Sequence, residues 1–384
     1  MSVPVYLDCN ATAPIRPEAA DAVARALAIG GNPSSIHARG RAARAAVEEA
    51  RDQVAALVGA AAADIVFTSG GTEANALAID SAVASGAAKR LIVGATEHES
   101  VVETARATGL PVETWPVDGQ GRADLAWLQA RLAAWGPAEG RPFVALMLAN
   151  NETGVIQPVA EAAALVHAAG GALHVDAIQA AGKIAVDLGS LGADTLALSA
   201  HKLGGPAGVG ALAFTPAAAI HRQMHGGGQE RGLRAGTENL CGIAGFGAAA
   251  AAGLCDLDAF AAQGAWRDAT IDRLKAETGV AVAGEGAPRL PNTLCLAVQG
   301  YASSLQVMAL DLDGVMVSAG SACSSGKVRQ SAVLATMGMG ELAQGSLRAS
   351  GGWATTEQDW RRFADAWLAA FKRHGSRVGA KEYA

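Results

Sequence analysis

The chain has 384 residues, 51% of them hydrophobic but only 4% aromatic, and Lys+Arg 30 against Asp+Glu 36 gives a net charge of −6. That length supports two sizeable cores, and the acidic balance excludes the basic footprint of nucleic-acid or anionic-membrane binding. Alanine and glycine carry much of the apolar fraction, which suits helices packed on a sheet better than an all-β protein.

The first ten residues, Met1 to Asn10, hold neither a basic nor an apolar leader region, so no secretory signal is expected. A strand is predicted at Ile65–Thr68, followed by a helical run from Glu73. Further strands are predicted at 91–93, 143–148, 173–175 and 195–198, with helix-like stretches such as Val159 to Ala169 between them. Near-continuous apolar strands alternating with helices predict an α/β fold with a parallel sheet. Ligands of such sheets bind beyond the carboxyl ends of the strands. Asn239 to Cys255 reads as a buried helix, too short and too mildly apolar to span a membrane. After it the pattern changes to a charged helix (266–277), short strands (293–298 and 315–318) and an amphipathic helix from Glu357 to about Lys372. We read a large domain over 13–250 and a smaller α+β domain built from 1–12 and 251–384.

Five cysteines, Cys9, Cys241, Cys255, Cys295 and Cys323, form no C-x-x-C pair. A disulfide framework or structural zinc site is not expected, and a reducing cytoplasm is the natural setting. Small buried hydrophobe is the plain reading of a lone cysteine, and it suits all but Cys323. The neighbours of Cys323 are Ser, Ala and Gly, as a loop that carries a nucleophile to its target requires.

Lys202 follows the strand 195–198 and precedes Gly204-Gly205-Pro206. Taken alone, it is an exposed loop lysine. Asp176, on the preceding strand, changes that. Enzymes that use pyridoxal phosphate need a lysine to bind the cofactor and a carboxylate to keep its ring nitrogen protonated. Thr68 through Asn75 offers glycines and a helix start to a phosphate, although such turns are also common for packing alone. His98 suits stacking on a ring or moving a proton, although taken without context it reads as a plain solvent-facing histidine. A metal held by Glu97, His98 and Glu99 is the poorer reading, because adjacent loop residues seldom converge on one ion. The basic cluster His37, Arg39, Arg41 and Arg44 is followed by Glu48 and Glu49 and reads as a solvated helix start.

Together these segments resemble the cysteine desulfurases of the NifS/IscS type, in the class V aminotransferase superfamily. The matching runs are 6–12, 31–37, 68–75, 97–98, 149–154, 174–180, 198–203, 226–239, 290–294 and 321–326. The resemblance implies fold type I, a mostly parallel sheet flanked by helices, with pyridoxal 5'-phosphate as cofactor. It makes Lys202 the cofactor lysine, Asp176 the partner of the pyridinium nitrogen, Gln179 the partner of the ring hydroxyl and His98 the stacking and proton-transfer residue. Gly71, Thr72, Ser199 and His201 would hold the phosphate, with Thr237 reaching in from the other subunit of a homodimer. Asn151 and Arg348 would hold the substrate carboxylate, for which a guanidinium fork is suited.

The implied reaction takes sulfur from L-cysteine onto Cys323 as a persulfide and releases L-alanine. The sulfur acceptor would be an iron–sulfur scaffold or a thiolation pathway. Two departures stand out. Cys9 replaces the usual Asn, and Lys327 through Ser331 lacks the Glu-Pro-Ser of many relatives, which bears on partner docking. Rival readings are a selenocysteine lyase or another class V enzyme, and a non-enzymatic sulfur-carrier or assembly module.

Overall fold

The computed structural model describes residues 3–320 and 330–382, with side chains to residue 375. Among them, strands form three sheets of two, four and seven strands. The first strand, β1 (Val5–Tyr6), lies away from the largest sheet. That sheet comprises β2 (Ile65–Thr68), β3 (Leu91–Gly94), β4 (Val112–Trp115), β5 (Phe143–Met147), β6 (Ala172–Asp176), β7 (Thr195–Ser199) and β8 (Gly210–Phe214). Their order is β2-β8-β7-β6-β5-β3-β4.

The expected parallel sheet is present, with one departure: β8 runs antiparallel to both its neighbours, β2 and β7. Strands β4 and β8 are absent from the sequence reading. Gly-Ala-Leu-Ala-Phe of β8 has helix-like composition, and its sheet neighbours override that propensity. β4 is a half-exposed edge strand that lacks a continuous apolar run. The central strands β5 and β7 are buried at every position, as expected when helices cover both faces.

The helix Gly71–Ala84 begins two residues ahead of the expected Glu73, and Asn239 is the N-cap of the helix Leu240–Cys255. That helix packs on Pro17–Ile29 and Ala38–Leu57. Its glycines allow near contact of backbones: a Cβ on Gly247 would stand 2.5 Å from Ala50 Cα. The layer closes over Ile65, Phe67 and Leu198 through Ile243 and Phe246. No single helix is long and apolar enough to cross a membrane among the described residues; only Leu240–Cys255 with the sharply bent segment after it meets that test by length and composition.

A second sheet holds β9 (Ala281–Val282), β10 (Thr293–Ala297), β12 (Ser318–Ala319) and β13 (Ser346–Ser350), all paired antiparallel. The single strand expected over 315–318 is broken at Val317. Its first part, β11 (Val315–Met316), pairs with β1, while β12 pairs with β13. The helix Glu357–Glu382 extends well past Lys372. It lays Trp360, Phe363 and Trp367 on Leu294, Leu296 and Leu347. Residue 250 falls inside the helix Leu240–Cys255.

Candidate active site

The carboxyl ends of β6 and β7 bring the two central groups together. Asp176 closes β6, and Lys202 ends the short 3-10 turn Ala200–Lys202 directly after β7. Asp176 Oδ2 accepts from Asn75 Nδ2 at 2.8 Å, and Oδ1 accepts from the Ile178 N–H at 3.0 Å. Burial nevertheless pushes the Asp176 carboxyl above its usual range, against the pull of those bonds, His98 and Lys202. Such a group gains from a cation set against it.

Asn75 is fully buried and its orientation is determined by its partners. His174 Nδ1 lies 2.9 Å from Thr195 Oγ1, and Nε2 lies 3.0 Å from Asn75 Oδ1. An amide oxygen only accepts, so His174 donates from Nε2 and the Asn75 nitrogen must face Asp176. Burial drives the His174 imidazole down to about 3, so the ring stays neutral. The Asn75 nitrogen also donates to Ser100 Oγ at 2.9 Å. Ser100 Oγ lies 2.8 Å from His98 Nδ1, which also accepts from the Ser100 N–H as N-cap of the helix Glu99–Ala107. With Nδ1 accepting, neutral His98 carries its proton on Nε2. Glu97 stands in the same turn. Its carboxyl accepts from the Met147 N–H, and burial beside Asp176 holds it well above the usual range.

A second network gathers on Asn10, which the sequence reading does not single out. Lys202 Nζ donates to the Asn10 carbonyl at 2.7 Å and to the Ala11 carbonyl at 2.8 Å. Burial, chiefly, and the nearby Arg348 lower the Lys202 amine to about 8. Gln179 Nε2 donates to the same Asn10 carbonyl at 2.9 Å. The Asn10 side chain accepts from Lys183 Nζ at 2.9 Å and Asn292 Nδ2 at 3.2 Å, and donates to Thr293 Oγ1 and the Asn151 carbonyl.

Arg348, on β13 and only 4% exposed, closes this side. Its Nη2 pairs with Asp8 Oδ1 at 2.6 Å, its Nη1 donates to the Asn151 carbonyl at 3.1 Å, and its buried Nε has no hydrogen-bond partner among the described residues. Next to Asn151, Glu152 accepts from Ser331 Oγ at 2.6 Å, and burial raises its carboxyl to about 7.

The anticipated phosphate residues cluster at the neighbouring strand ends. Gly71 opens the helix Gly71–Ala84, whose first N–H groups have no intrahelical partner. A Cβ on Gly71 would stand 2.2 Å from Ile178 Cδ1 and 3.3 Å from Ser199 Cβ, so any side chain there would have to displace Ile178. Thr72 is exposed, and Ser199 is buried at the end of β7. His201, half-buried, lies 3.2 Å from Thr12 Oγ1, and burial lowers its ring to about 4, leaving it neutral. Thr237 is exposed and remote in sequence from the others. The turn before it is pinned by a buried bidentate pair, Arg51 to Glu230, at 2.8 Å for each bond.

Cys323 lies outside the described residues. Cys9 and Cys295 are buried, as the plain reading has it, and burial raises both thiols to about 12. Cys255 is exposed and Cys241 only partly covered, which corrects that reading for them: each sits at an end of its helix rather than on its packed face. His37 caps the helix Ala38–Leu57, and Arg39, Arg41 and Arg44 are exposed.

The donor set fits pyridoxal phosphate: a buried acid short of a cation and a lowered lysine amine at the ends of adjacent strands, with a glycine-lined helix start after β2. The sequence profile of the aminotransferase class-V family matches residues 5–363. A cysteine desulfurase of Cereibacter sphaeroides is 43% identical over 347 residues, covering 87% of this chain and 86% of its own. The cysteine desulfurase IscS of Dictyoglomus turgidum is 39% identical over 364 residues, 92% of this chain and 91% of its own. The solved NifS-like protein of Rickettsia africae superimposes with a TM-score of 0.88 at 30% identity, over 96% of this chain and 99% of its own. A solved structure of SspA in complex with cysteine gives a TM-score of 0.77 at 26% identity, over 90% of this chain and 98% of its own. The chain belongs to the class-V aminotransferase family, among its pyridoxal-phosphate-dependent cysteine desulfurases.

Proposed function

We propose that the chain removes sulfur from L-cysteine, releases L-alanine and keeps the sulfur on Cys323 as a persulfide. The observation that carries this reading is the placement of Asp176 and Lys202 at adjacent strand ends, with Arg348 buried beside them. When bound, pyridoxal phosphate supplies the electron sink that lets the α-proton of an amino acid leave.

Each residue has a task. Lys202 holds the cofactor: with its amine at about 8, an appreciable neutral, nucleophilic fraction is present near neutral pH. Asp176 supplies the counter-charge to a protonated ring nitrogen, which relieves the burial of its own charge. Gln179 donates to the ring hydroxyl. His98, with Nδ1 held by Ser100, presents Nε2 for stacking and proton transfer. Gly71, Thr72, Ser199 and His201 hold the phosphate, with Thr237 from the partner subunit of a homodimer.

Arg348 and Asn151 bind the substrate carboxylate, and the Nε of Arg348, unpartnered among the described residues, is a donor suited to it. The Cys323 thiolate bonds to the substrate sulfur as the Cβ–S bond breaks and Cβ takes up a proton. Ser318 stands opposite Arg348 in the sheet, so β12, five residues before Cys323 in sequence at Ser318, lies beside the carboxylate clamp. An iron–sulfur scaffold or a thiolation pathway in the cytoplasm then receives the sulfur. Separate hydrophobic cores support the division into a large unit, 13–250, and a small one, 1–12 with 251–384.

The test is brief exposure of the purified protein to L-cysteine, alkylation and peptide mass mapping. Persulfide on Cys323, alanine release, and loss of both in Cys323→Ser are expected. Persulfide on Cys9, or undiminished alanine from Cys323→Ser, overturns the reading.

A further inference from the structure

Lys183 is a buried amine without a role in the reaction as described above. It is 3% exposed. Its Nζ donates to Gln179 Oε1 at 2.7 Å and to Asn10 Oδ1 at 2.9 Å, both neutral amide oxygens. Burial first, then the neighbouring Lys202, lowers the amine to about 7. A lysine buried against amides rather than a carboxylate is costly, and this one is linked to Lys202 through Asn10, whose side-chain oxygen it bonds while Lys202 bonds the backbone carbonyl.

The geometry has a directional consequence. A glutamine amide is nearly symmetric in shape and can present either its oxygen or its nitrogen to a neighbour. A lysine amine placed as a donor accepts only one answer: the atom facing it must be Oε1. Nε2 is thereby turned to the opposite side, where one of its N–H groups goes to the Asn10 carbonyl. That carbonyl also accepts from Lys202 Nζ. Gln179 therefore shows an N–H, and not a lone pair, on the side where the cofactor lysine stands. His174 disciplines Asn75 in the same manner on the Asp176 side.

We propose that Lys183 is a positioning residue for the cofactor, which acts by fixing the Gln179 amide so that its N–H side faces the ring oxygen of bound pyridoxal phosphate. The inference rests on Gln179 meeting that oxygen. A flipped amide would set one lone pair against another there, weakening the cofactor's hold and disfavouring the oxygen's anionic form.

The test is reconstitution of apoprotein with pyridoxal phosphate, with affinity read by fluorescence for the wild type, Lys183→Met, Gln179→Ala and the double variant. Lys183→Met is expected to weaken binding about tenfold, the worth of one good hydrogen bond. The double variant should bind no more weakly than Gln179→Ala alone, because Lys183 has nothing left to orient. The pH midpoint of the visible absorbance of reconstituted Lys183→Met should lie above that of wild type, a shift that loosened packing alone would not give.

Additive losses in the double variant, or an unchanged absorbance midpoint, overturn the link between the two residues. Unchanged affinity in Gln179→Ala overturns instead the placement of Gln179 at the ring. If Lys183→Met does not fold, Lys183→Gln enters the same cycle: its amide can still donate to Gln179 Oε1, so an affinity within about threefold of wild type is expected. A larger loss that persists in the Gln179→Ala background overturns the proposal.

Discussion

The helix layer around Leu240–Cys255 and the polar seam around Asn10 are both sealed from solvent, yet they are held by opposite means. In the helix layer, Gly247 meets Ala50 and Phe246 reaches Phe67, and shape alone decides the fit. In the seam, Asn10, Gln179, Lys183, Asn292 and Thr293 satisfy one another atom by atom, each donor finding an acceptor. A packed layer resists one added atom at a time. A polar network fails as a unit, because deleting one member strands several.

The largest expected effect is on the seam. Asn10→Ala removes a partner from Lys183, Asn292, Thr293 and the Asn151 carbonyl, and should lower unfolding stability by about 4 kcal/mol or more in urea titration. A loss below about 1 kcal/mol, within the range of an ordinary surface change, would mean that the seam is wet and the contrast with the helix layer false.

Glu152 sharpens the comparison through pH. Its folded carboxyl, at about 7, keeps a proton that the unfolded chain gives up near the ordinary glutamate value of 4.5. Its contribution is therefore fully present below that lower value and is lost as pH rises through about 7, by up to about 3 kcal/mol. Glu152→Gln does not titrate, so its stability relative to wild type should climb between pH 5 and pH 8. Parallel curves would show that the carboxyl is hydrated.

The smallest effect is expected in the helix layer. Gly247→Ala gains helix propensity but drives its Cβ to 2.5 Å from Ala50 Cα. Overpacking should win by about 1–2 kcal/mol in thermal or urea unfolding. A stabilised variant would show that the two helices can slide apart.

The same contrast explains what the sequence made legible. Apolar runs and strand-end motifs are local, so Lys202, Asp176 and the glycine turn ahead of a helix are found by reading along the chain, with the helix start set two residues late at Glu73. Asn10 and Asn75 both lie inside recognisable runs, 6–12 and 68–75, but nothing beside them shows their partners. The contacts of Asn10 reach residues 141 to 340 positions away. Lys183 reads as an ordinary lysine after Gly182 until the fold sets it against Gln179. Strand β8 was illegible for a different reason: its alanines signal helix, and only the strands on either side make it extended.

The N-terminal stretch has one more consequence, for the chain as it is made. Residues 5–12 leave the ribosome long before their partners do: β1 pairs with β11, Asn10 donates its backbone N–H to Ser350 Oγ, and Asp8 pairs with Arg348. At about 5–20 residues per second, a bacterial or eukaryotic ribosome needs on the order of 20–70 s to supply those partners. Through that interval Leu7 and Cys9, both buried in the finished fold, have no small sheet to enter. The strap is thus made well ahead of the strands that receive it, and its docking on them completes this side of the catalytic pocket.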